Sequence, residues 1–356
     1  MSFFRPALDL LRAYVPGRQP DLGARVIKLN TNENPYPPSP KAVAALRGLD
    51  ADELRRYPRP FGDEVRHAVA RVAGVDPTWV LAGNGSDDLL TMLVRATAGP
   101  GRAVVYPTPT YVLYRTLAGI EESPVVEVPF DPDFSLPVDR LVAADGALTF
   151  VANPNSPSGT ATSRERLGEL ADGLRGLLVV DEAYVAFAEE DALGLLDTYR
   201  NVVILRTLSK SHGLAGLRLG YAIAHPSVLE GLSKVKDSYN VGAVPARVGS
   251  AALLDTQYTA RTVERIRRNR ALLTTALENL GCRVWPSQAN FLLVRPPGGD
   301  AARVQDALEQ RQILVRYFDE PALTEVVRIT VGTSADNRAL IDALRAILGS
   351  TPGTSP

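Results

Sequence analysis

Lys210 stands in a run of small residues, T-L-S-K-S-H-G-L-A-G-L-R-L-G-Y from Thr207 to Tyr221. Its neighbours Ser209, Ser211, Gly213, Ala215 and Gly216 would let a bulky planar ligand come close to the backbone, which a solvated helix-face lysine has no need of. Eight residues on, Arg218 adds a permanent positive charge with a fork suited to an oxyanion. A nucleophilic amine beside a hydroxyl and an anion-binding arginine is what a Schiff base to a phosphorylated aldehyde needs. An isolated Ser-Lys pair could equally be a cationic turn after a strand, so the assignment depends on what the rest of the chain brings to it.

Three apolar runs must position that chemistry. Leu148–Ala152 runs into N-P-N-S-P-S-G-T (153–160), Leu177–Val180 ends on Asp181-Glu182-Ala183-Tyr184, and Asn201–Leu205 leads to Ser209-Lys210. Each reads as a buried strand. The intervals from Asn155 to Asp181 and from Asp181 to Lys210, 26 and 29 residues, leave room for a crossover and a return strand. A parallel sheet then delivers an amide, an acid and an amine to one edge, where doubly wound sheets bind ligands. Asp181, at the tip of a wholly apolar strand, is costly unless compensated and is expected to face a cation.

Other loops add donors. Gly83-Asn84-Gly85-Ser86-Asp87-Asp88 precedes a helical stretch, Leu89–Ala96, so its free N–H groups form a phosphate seat. An ordinary N-cap would look the same, and no Walker loop is present. Tyr111 follows the stiff Pro107-Thr108-Pro109; it either stacks on a ligand ring or caps the core. The Asn-rich stretch Ile27–Pro38 is either a surface linker or a ligand-contacting loop. One cofactor uses an amine, an acid, an aromatic and phosphate donors together: pyridoxal 5′-phosphate. Lys210 would hold its aldehyde and Asp181 its protonated pyridine nitrogen, with Tyr111 stacked on the ring. Tyr184 and Asn155 would bind the phenolate oxygen, and Ser209, Arg218, Ser86 and the Gly85 turn the phosphate.

The remaining composition excludes other classes. With 356 residues the chain accommodates two domains. Its 39 basic and 40 acidic side chains nearly cancel, which gives no field for nucleic acid or membrane. One cysteine, Cys282, and three scattered histidines (His67, His212, His225) predict neither disulfide nor metal. No secretory leader or membrane span is apparent, so the expected location is cytoplasmic. The organisation predicted is an arm (1–35), a large cofactor-binding domain (36–245) and a smaller α+β domain (246–356). Residues 39–75 read as helical with one interruption at Leu54–Pro58, where Tyr57 precedes a proline and should project. A long helical region covers Ala246–Leu280, and strand-like segments follow at 283–285, 291–294, 314–317 and 326–330. Arg316 and Arg328 lie inside two of them, where arginine is unusual unless it meets an anion.

In this order, G-N-G-S-D-D, N-P-N-S-P-S-G, D-E-A-Y and S-K-S-H-G-L-A-G-L-R-L-G-Y resemble the fold-type I aminotransferases and, within them, the histidinol-phosphate aminotransferase family. The segment K-D-S-Y-N-V (236–241) is also typical of that group, and the likeness runs from L-N-T-N-E-N-P to V-R-I-T-V-G-T. The resemblance implies an α/β fold, with a mainly parallel seven-stranded sheet flanked by helices and a smaller α+β domain. It implies Lys210, Asp181 and Tyr184 as catalytic residues, and Gly85, Ser86 and Asp87 among those at the cofactor. It also implies a homodimer in which Tyr57 crosses to the other subunit's cofactor phosphate. Arg328 would grip the α-carboxylate of glutamate or the phosphate of histidinol phosphate, with Arg316, Tyr14, Asn32 and Tyr239 as further substrate contacts. The reaction implied interconverts histidinol phosphate plus 2-oxoglutarate and imidazole acetol phosphate plus glutamate. Alternatives are an aromatic amino-acid aminotransferase, a pyridoxal-phosphate-dependent phosphothreonine decarboxylase and, disfavoured for want of a DNA-binding extension, a non-catalytic effector domain. One departure stands out: where the family often has N-P-N-N-P-T-G and its second asparagine meets the cofactor's phenolate oxygen, this chain has Ser156, so either Ser156 makes that bond less well or Asn155 shifts to make it, and Asn155 is the residue expected.

Overall fold

The computed structural model describes residues 3–9, 11, 17–21 and 26–349. Seven strands form the main sheet: β2 (Val80–Gly83), β3 (Val104–Thr108), β4 (Val125–Pro129), β5 (Leu148–Ala152), β6 (Leu177–Asp181), β7 (Val202–Thr207) and β8 (Gly220–Ala224). Their spatial order is β2-β8-β7-β6-β5-β3-β4. Only β8 runs against the others, pairing antiparallel with β2 and β7. The central strands are continuous apolar runs because both faces are covered. Val151, Val180 and Ile204 face one helical layer, and Phe150, Val179, Val203 and Leu205 the other.

Two smaller sheets complete the molecule. β12 (Arg316–Tyr317), β13 (Val327–Thr330), β10 (Phe291–Arg295) and β9 (Arg283–Val284) form one, in that order. β1 (Ile27–Lys28) pairs parallel with β11 (Ile313–Leu314) in the other. Leu29 joins the core beneath these sheets, alongside Leu292, Ile329 and Leu340. The arm thus ends inside the C-terminal unit, which sets the Asn-rich loop beside β13. No described helix is long and apolar enough to cross a membrane.

Three sequence expectations need correction. The stretch 39–75 breaks twice, giving helices Pro40–Arg47, Ala51–Arg55 and Asp63–Ala73. The extra break follows from Gly48 closing the first helix and the Asp50 carboxylate capping the second through the Glu53 N–H. The region Ala246–Leu280 is two helices, Ala243–Leu253 and Thr256–Glu278, parted at Leu254–Asp255 where Asp255 turns to meet Lys41 at 3.3 Å. The run 314–317 is divided between two sheets, and strands β4 and β8 were not anticipated. β8 reads G-Y-A-I-A, poor in β-branched residues; burial between two strands makes it a strand.

Candidate active site

The C-terminal ends of β5, β6 and β7 lie side by side, with Ala152 in register with Asp181 and Asp181 with Leu205. β2 ends at the same edge, and β8 begins there. A Cβ on Gly220 would lie 2.6 Å from the Ser86 nitrogen, so only glycine lets the β7–β8 turn approach the helix Ser86–Thr97 this closely. The loops at this edge enclose a cavity of about 230 Å³. Ser86, Asp87, Tyr111, Ser156, Asp181, Tyr184, Ser209, Lys210 and Arg218 line it from the main sheet, Asn32 from the arm, and Arg316 and Arg328 from β12 and β13. Gly85, Asn155, Tyr57 and Tyr239 are not among its lining residues, and Tyr14 lies outside the described residues.

Lys210 Nζ donates to the Thr31 carbonyl at 3.2 Å and stands 5.6 Å from the centre of the Tyr184 ring. Its loop is pinned by Asn34, whose amide donates to the carbonyls of Lys210 and Ser211, both at 3.0 Å. The Tyr184 hydroxyl accepts from Asn32 Nδ2 at 3.0 Å, which leaves its own proton to be donated into the cavity. Asn32 has φ 56° and is locked by two 3.0 Å bonds with the Thr330 hydroxyl.

Arg218 also adopts a left-handed conformation, φ 53°, uncommon for a long side chain and found where surrounding structure enforces it. Its Nη1 donates to Ser209 Oγ and its Nη2 to Asp87 Oδ2, each at 3.2 Å. A Cβ on Gly85, at φ 83°, would fall 2.7 Å from Arg218 Nη2, so the turn is shaped around that guanidinium. The helix start beside it offers N–H groups with no partner in the helix. Asp87's carboxylate can donate nothing to a phosphate; its backbone N–H can.

Asp181 is buried, 5 % exposed, and burial pushes its carboxyl up to about 6. Its direct hydrogen-bond partners among the described residues are neutral, the Tyr114 hydroxyl at 2.8 Å and the Ala183 N–H at 3.2 Å, while the Lys210 ammonium favours its ionised form from further off. The ion pair belongs to the next residue, Glu182, which faces Arg206 at 2.7 Å. Sequence reasoning missed Tyr114; its spacing from Tyr111, one helical turn away, was the available signal.

Asn155 does not do what the sequence suggested. It is buried, and its amide nitrogen donates to the Pro109 carbonyl at 3.2 Å and Ser158 Oγ at 2.9 Å, while its oxygen accepts from Thr110 at 2.8 Å. Those bonds hold the loop, and Ser156 is the residue facing the cavity. Ser156 Oγ accepts from Arg328 Nη1 at 2.9 Å, and Arg328 Nη2 donates to the Asn30 carbonyl at 3.0 Å. Tyr57 and Tyr239 stack on each other at 4.5 Å and 18°, away from the cavity, with Tyr57 81 % exposed.

This donor set fits pyridoxal 5′-phosphate. An amine faces the cavity for an aldehyde, and a buried acid with neutral partners awaits a ring cation. A glycine turn, a serine and an arginine at a helix start suit a phosphate. Asn30 Oδ1 and Thr31 Oγ1, both buried on residues that line the cavity, have no hydrogen-bond partner among the described residues.

Comparison with known proteins agrees with this geometry. Residues 24–344 match the family described as aminotransferase class I and II. Histidinol-phosphate aminotransferase 1 of Trichormus variabilis is 50% identical over 347 residues, 98% of this chain and 99% of that protein. The histidinol-phosphate aminotransferase of Rhodopirellula baltica is 45% identical over 93% of this chain and 91% of its own length. The crystal structure of histidinol-phosphate aminotransferase from Sinorhizobium meliloti in complex with pyridoxal-5′-phosphate superposes with a TM-score of 0.90 at 28% identity, covering 98% of each chain. On the matched length, the identities and the fold, this chain belongs to the class I and II aminotransferases.

Proposed function

We propose that this chain is a pyridoxal 5′-phosphate-dependent aminotransferase that interconverts L-histidinol phosphate plus 2-oxoglutarate and imidazole acetol phosphate plus L-glutamate. One observation carries the reading: a single cavity holds an amine, a buried acid, the arginine Arg218, and an arginine pair, Arg316 and Arg328. Arg218 suits the cofactor's phosphate, and the pair suits a substrate carboxylate or phosphate. The names carried by the relatives select the substrate.

When bound, the cofactor supplies an aldehyde for amine exchange and a ring that accepts the electron pair left by the departing α-proton. Lys210 would hold that aldehyde between turnovers, and its amine, when free, would serve as the base and acid for the proton at the substrate's α-carbon. Asp181 keeps the ring nitrogen protonated. Tyr184, oriented by Asn32, donates to the phenolate oxygen, with Ser156 beside it; Asn155 holds the loop that carries Ser156. Tyr111 stacks on the ring. Ser209, Arg218, Ser86 and the backbone of Gly85–Asp87 bind the phosphate. Arg328, seated by Ser156 and Asn30, binds the substrate's anion together with Arg316.

The same reading assigns a homodimer. Tyr57, exposed and stacked on Tyr239, would extend to the cofactor phosphate of the other subunit, and Tyr239 would flank that subunit's substrate. It divides the chain into an arm (1–35), a cofactor-binding domain (36–245) and a smaller domain (246–356), and it implies a cytoplasmic enzyme.

The test is kcat/KM over a panel of histidinol phosphate, phenylalanine and phosphothreonine. Histidinol phosphate should lead by at least about tenfold, and Lys210→Ala should lower turnover by about 10²–10⁴-fold or more. A lead for phenylalanine, or carbon dioxide release from phosphothreonine, would replace the substrate assignment. A chain that takes up no pyridoxal 5′-phosphate would end the reading.

A further inference from the structure

We infer that Tyr114 is a positioning residue that holds Asp181 ionised and correctly turned toward the cofactor's ring nitrogen. The inference rests on the proposed cofactor role of Asp181. Tyr114 is fully buried, yet its hydroxyl reaches Asp181 Oδ2 at 2.8 Å. The other carboxylate oxygen takes the Ala183 N–H at 3.2 Å. Two bonds on two oxygens fix the plane of the carboxylate. The phenol cannot swing away, because its ring stacks on Phe150 at 4.5 Å and 7° and meets the edge of Tyr111 at 5.7 Å and 84°. Tyr111 lies just before the helix Leu113–Ile120 and Tyr114 in its first turn, with the Tyr114 N–H bonded to the Tyr111 carbonyl, so one helix entry serves both the ring face and the acid opposite the ring nitrogen.

The charge balance around Asp181 gives that bond its function. Burial favours the protonated acid, and so does the Asp87 carboxylate from the start of helix Ser86–Thr97. Against them stand the Tyr114 hydroxyl, the Ala183 N–H and the Lys210 ammonium from the loop after β7. Among these the Tyr114 hydroxyl is the strongest counterweight to burial. A hydrogen bond to the charged form lowers proton affinity. Without it, Asp181 protonates at higher pH and no longer retains the ring-nitrogen proton.

Tyr114→Phe tests this, because it keeps the stacked ring and deletes only the donor. Tyr106→Phe is the control: its ring touches Tyr114, but its hydroxyl bonds Glu127 at 2.7 Å. In the cofactor-free full-length chain, the titration of Asp181 is read by carboxyl carbon NMR, with Asp181→Asn identifying its signal. Tyr114→Phe should raise that titration by about one pH unit or more. In the loaded enzyme the acidic limb of the kcat/KM profile should move up with it, and Tyr106→Phe should move neither. Affinity for pyridoxal 5′-phosphate gives a second readout: Tyr114→Phe should weaken it only while Asp181 is present, and have no effect in the Asp181→Asn background. An unmoved titration, an equal shift in Tyr106→Phe, or a penalty that persists in Asp181→Asn each overturns the inference. Those outcomes leave the cofactor reading intact; failure of the wild-type chain to bind pyridoxal 5′-phosphate ends that reading and leaves the titration result standing.

Discussion

Asp181 and Glu182 are consecutive acids at the tip of β6, both buried, and they face opposite sides of the sheet. Glu182 is completed internally: Arg206 Nε meets it at 2.7 Å, the Ala192 N–H at 2.6 Å, and Arg206 reaches on to Asp191 at 2.8 Å. Asp181 receives only neutral donors. Burial raises the proton affinity of both acids, but only Glu182 has a guanidinium in place to offset it. The rear acid is part of the fold's own bonding. The front acid leaves its charge to be balanced by a ligand, which is how a structural ion pair differs from a site.

The largest effect expected from this contrast is on the rear side. Glu182→Ala strands a buried guanidinium, and removing one partner of a buried pair costs roughly 3–5 kcal/mol. Asp191 still holds one edge of Arg206, so the lower end of that range is expected, read by urea unfolding of the cofactor-free protein near pH 7. A loss under about 1 kcal/mol would mean that Glu182 is not structural in this sense.

Asp181→Asn should act with the opposite sign. The folded carboxyl titrates at about 6, above its unfolded value. Ionising it therefore begins to cost stability as pH rises past about 4, and the full cost is reached above about 6. Asn escapes that cost, so cofactor-free Asp181→Asn should be more stable than wild type by roughly 2–3 kcal/mol at pH 7.5 and about equal to it at pH 4. If Asn destabilises at both pH values, Asp181 is held as firmly as its neighbour and the contrast fails.

Cofactor should narrow that gap. A ligand at 100 times its Kd adds about 2.7 kcal/mol to the wild type, and a tenfold weaker affinity removes about 1.4 kcal/mol of that gain. The thermal shift on adding pyridoxal 5′-phosphate should therefore be smaller for Asp181→Asn than for wild type. Equal shifts would mean that the ring cation does not meet Asp181.

The same contrast marks what the sequence could disclose. Asp181 and Lys210 were legible because each follows an apolar run at an interval that leaves room for a crossover between parallel strands, and Arg218 because its anion-binding fork stands eight residues after Lys210. Gly85 and Ser86 were legible as a turn opening a helix. Asn155 and Ser156 could not be ranked, since adjacent residues in a proline-rich loop point in different directions, and only the bonds to Pro109, Thr110 and Ser158 reveal which amide is spent. The donors that hold Asp181 could not be read from its own strand; Tyr114 arrives from a helix 67 residues earlier. β8 was missed because Gly and Ala carry little strand preference, and its place is fixed by the two strands on either side.

A third acid gives the smallest and most diagnostic effect. Asp87 pairs with Arg218 at 3.2 Å, and both side chains are nearly half exposed. Such a pair contributes at most about 1 kcal/mol, so Asp87→Asn should barely change the stability of the cofactor-free chain. Its effect should appear in ligand affinity. A phosphate arriving at Arg218 must compete with the carboxylate already there, and Asn removes that competitor while leaving the backbone N–H in place. Affinity for inorganic phosphate should rise severalfold, under about 1 kcal/mol in energy, with the largest gain at low salt, where the removed repulsion is least screened. Removing Asp87 also takes a negative charge from the surroundings of Asp181, so the titration of that acid should fall. A drop in phosphate affinity would give Asp87 a different part: its carboxylate would then be what holds Arg218 in its left-handed, ligand-ready conformation, and the front of the sheet would contain one acid built into the structure after all.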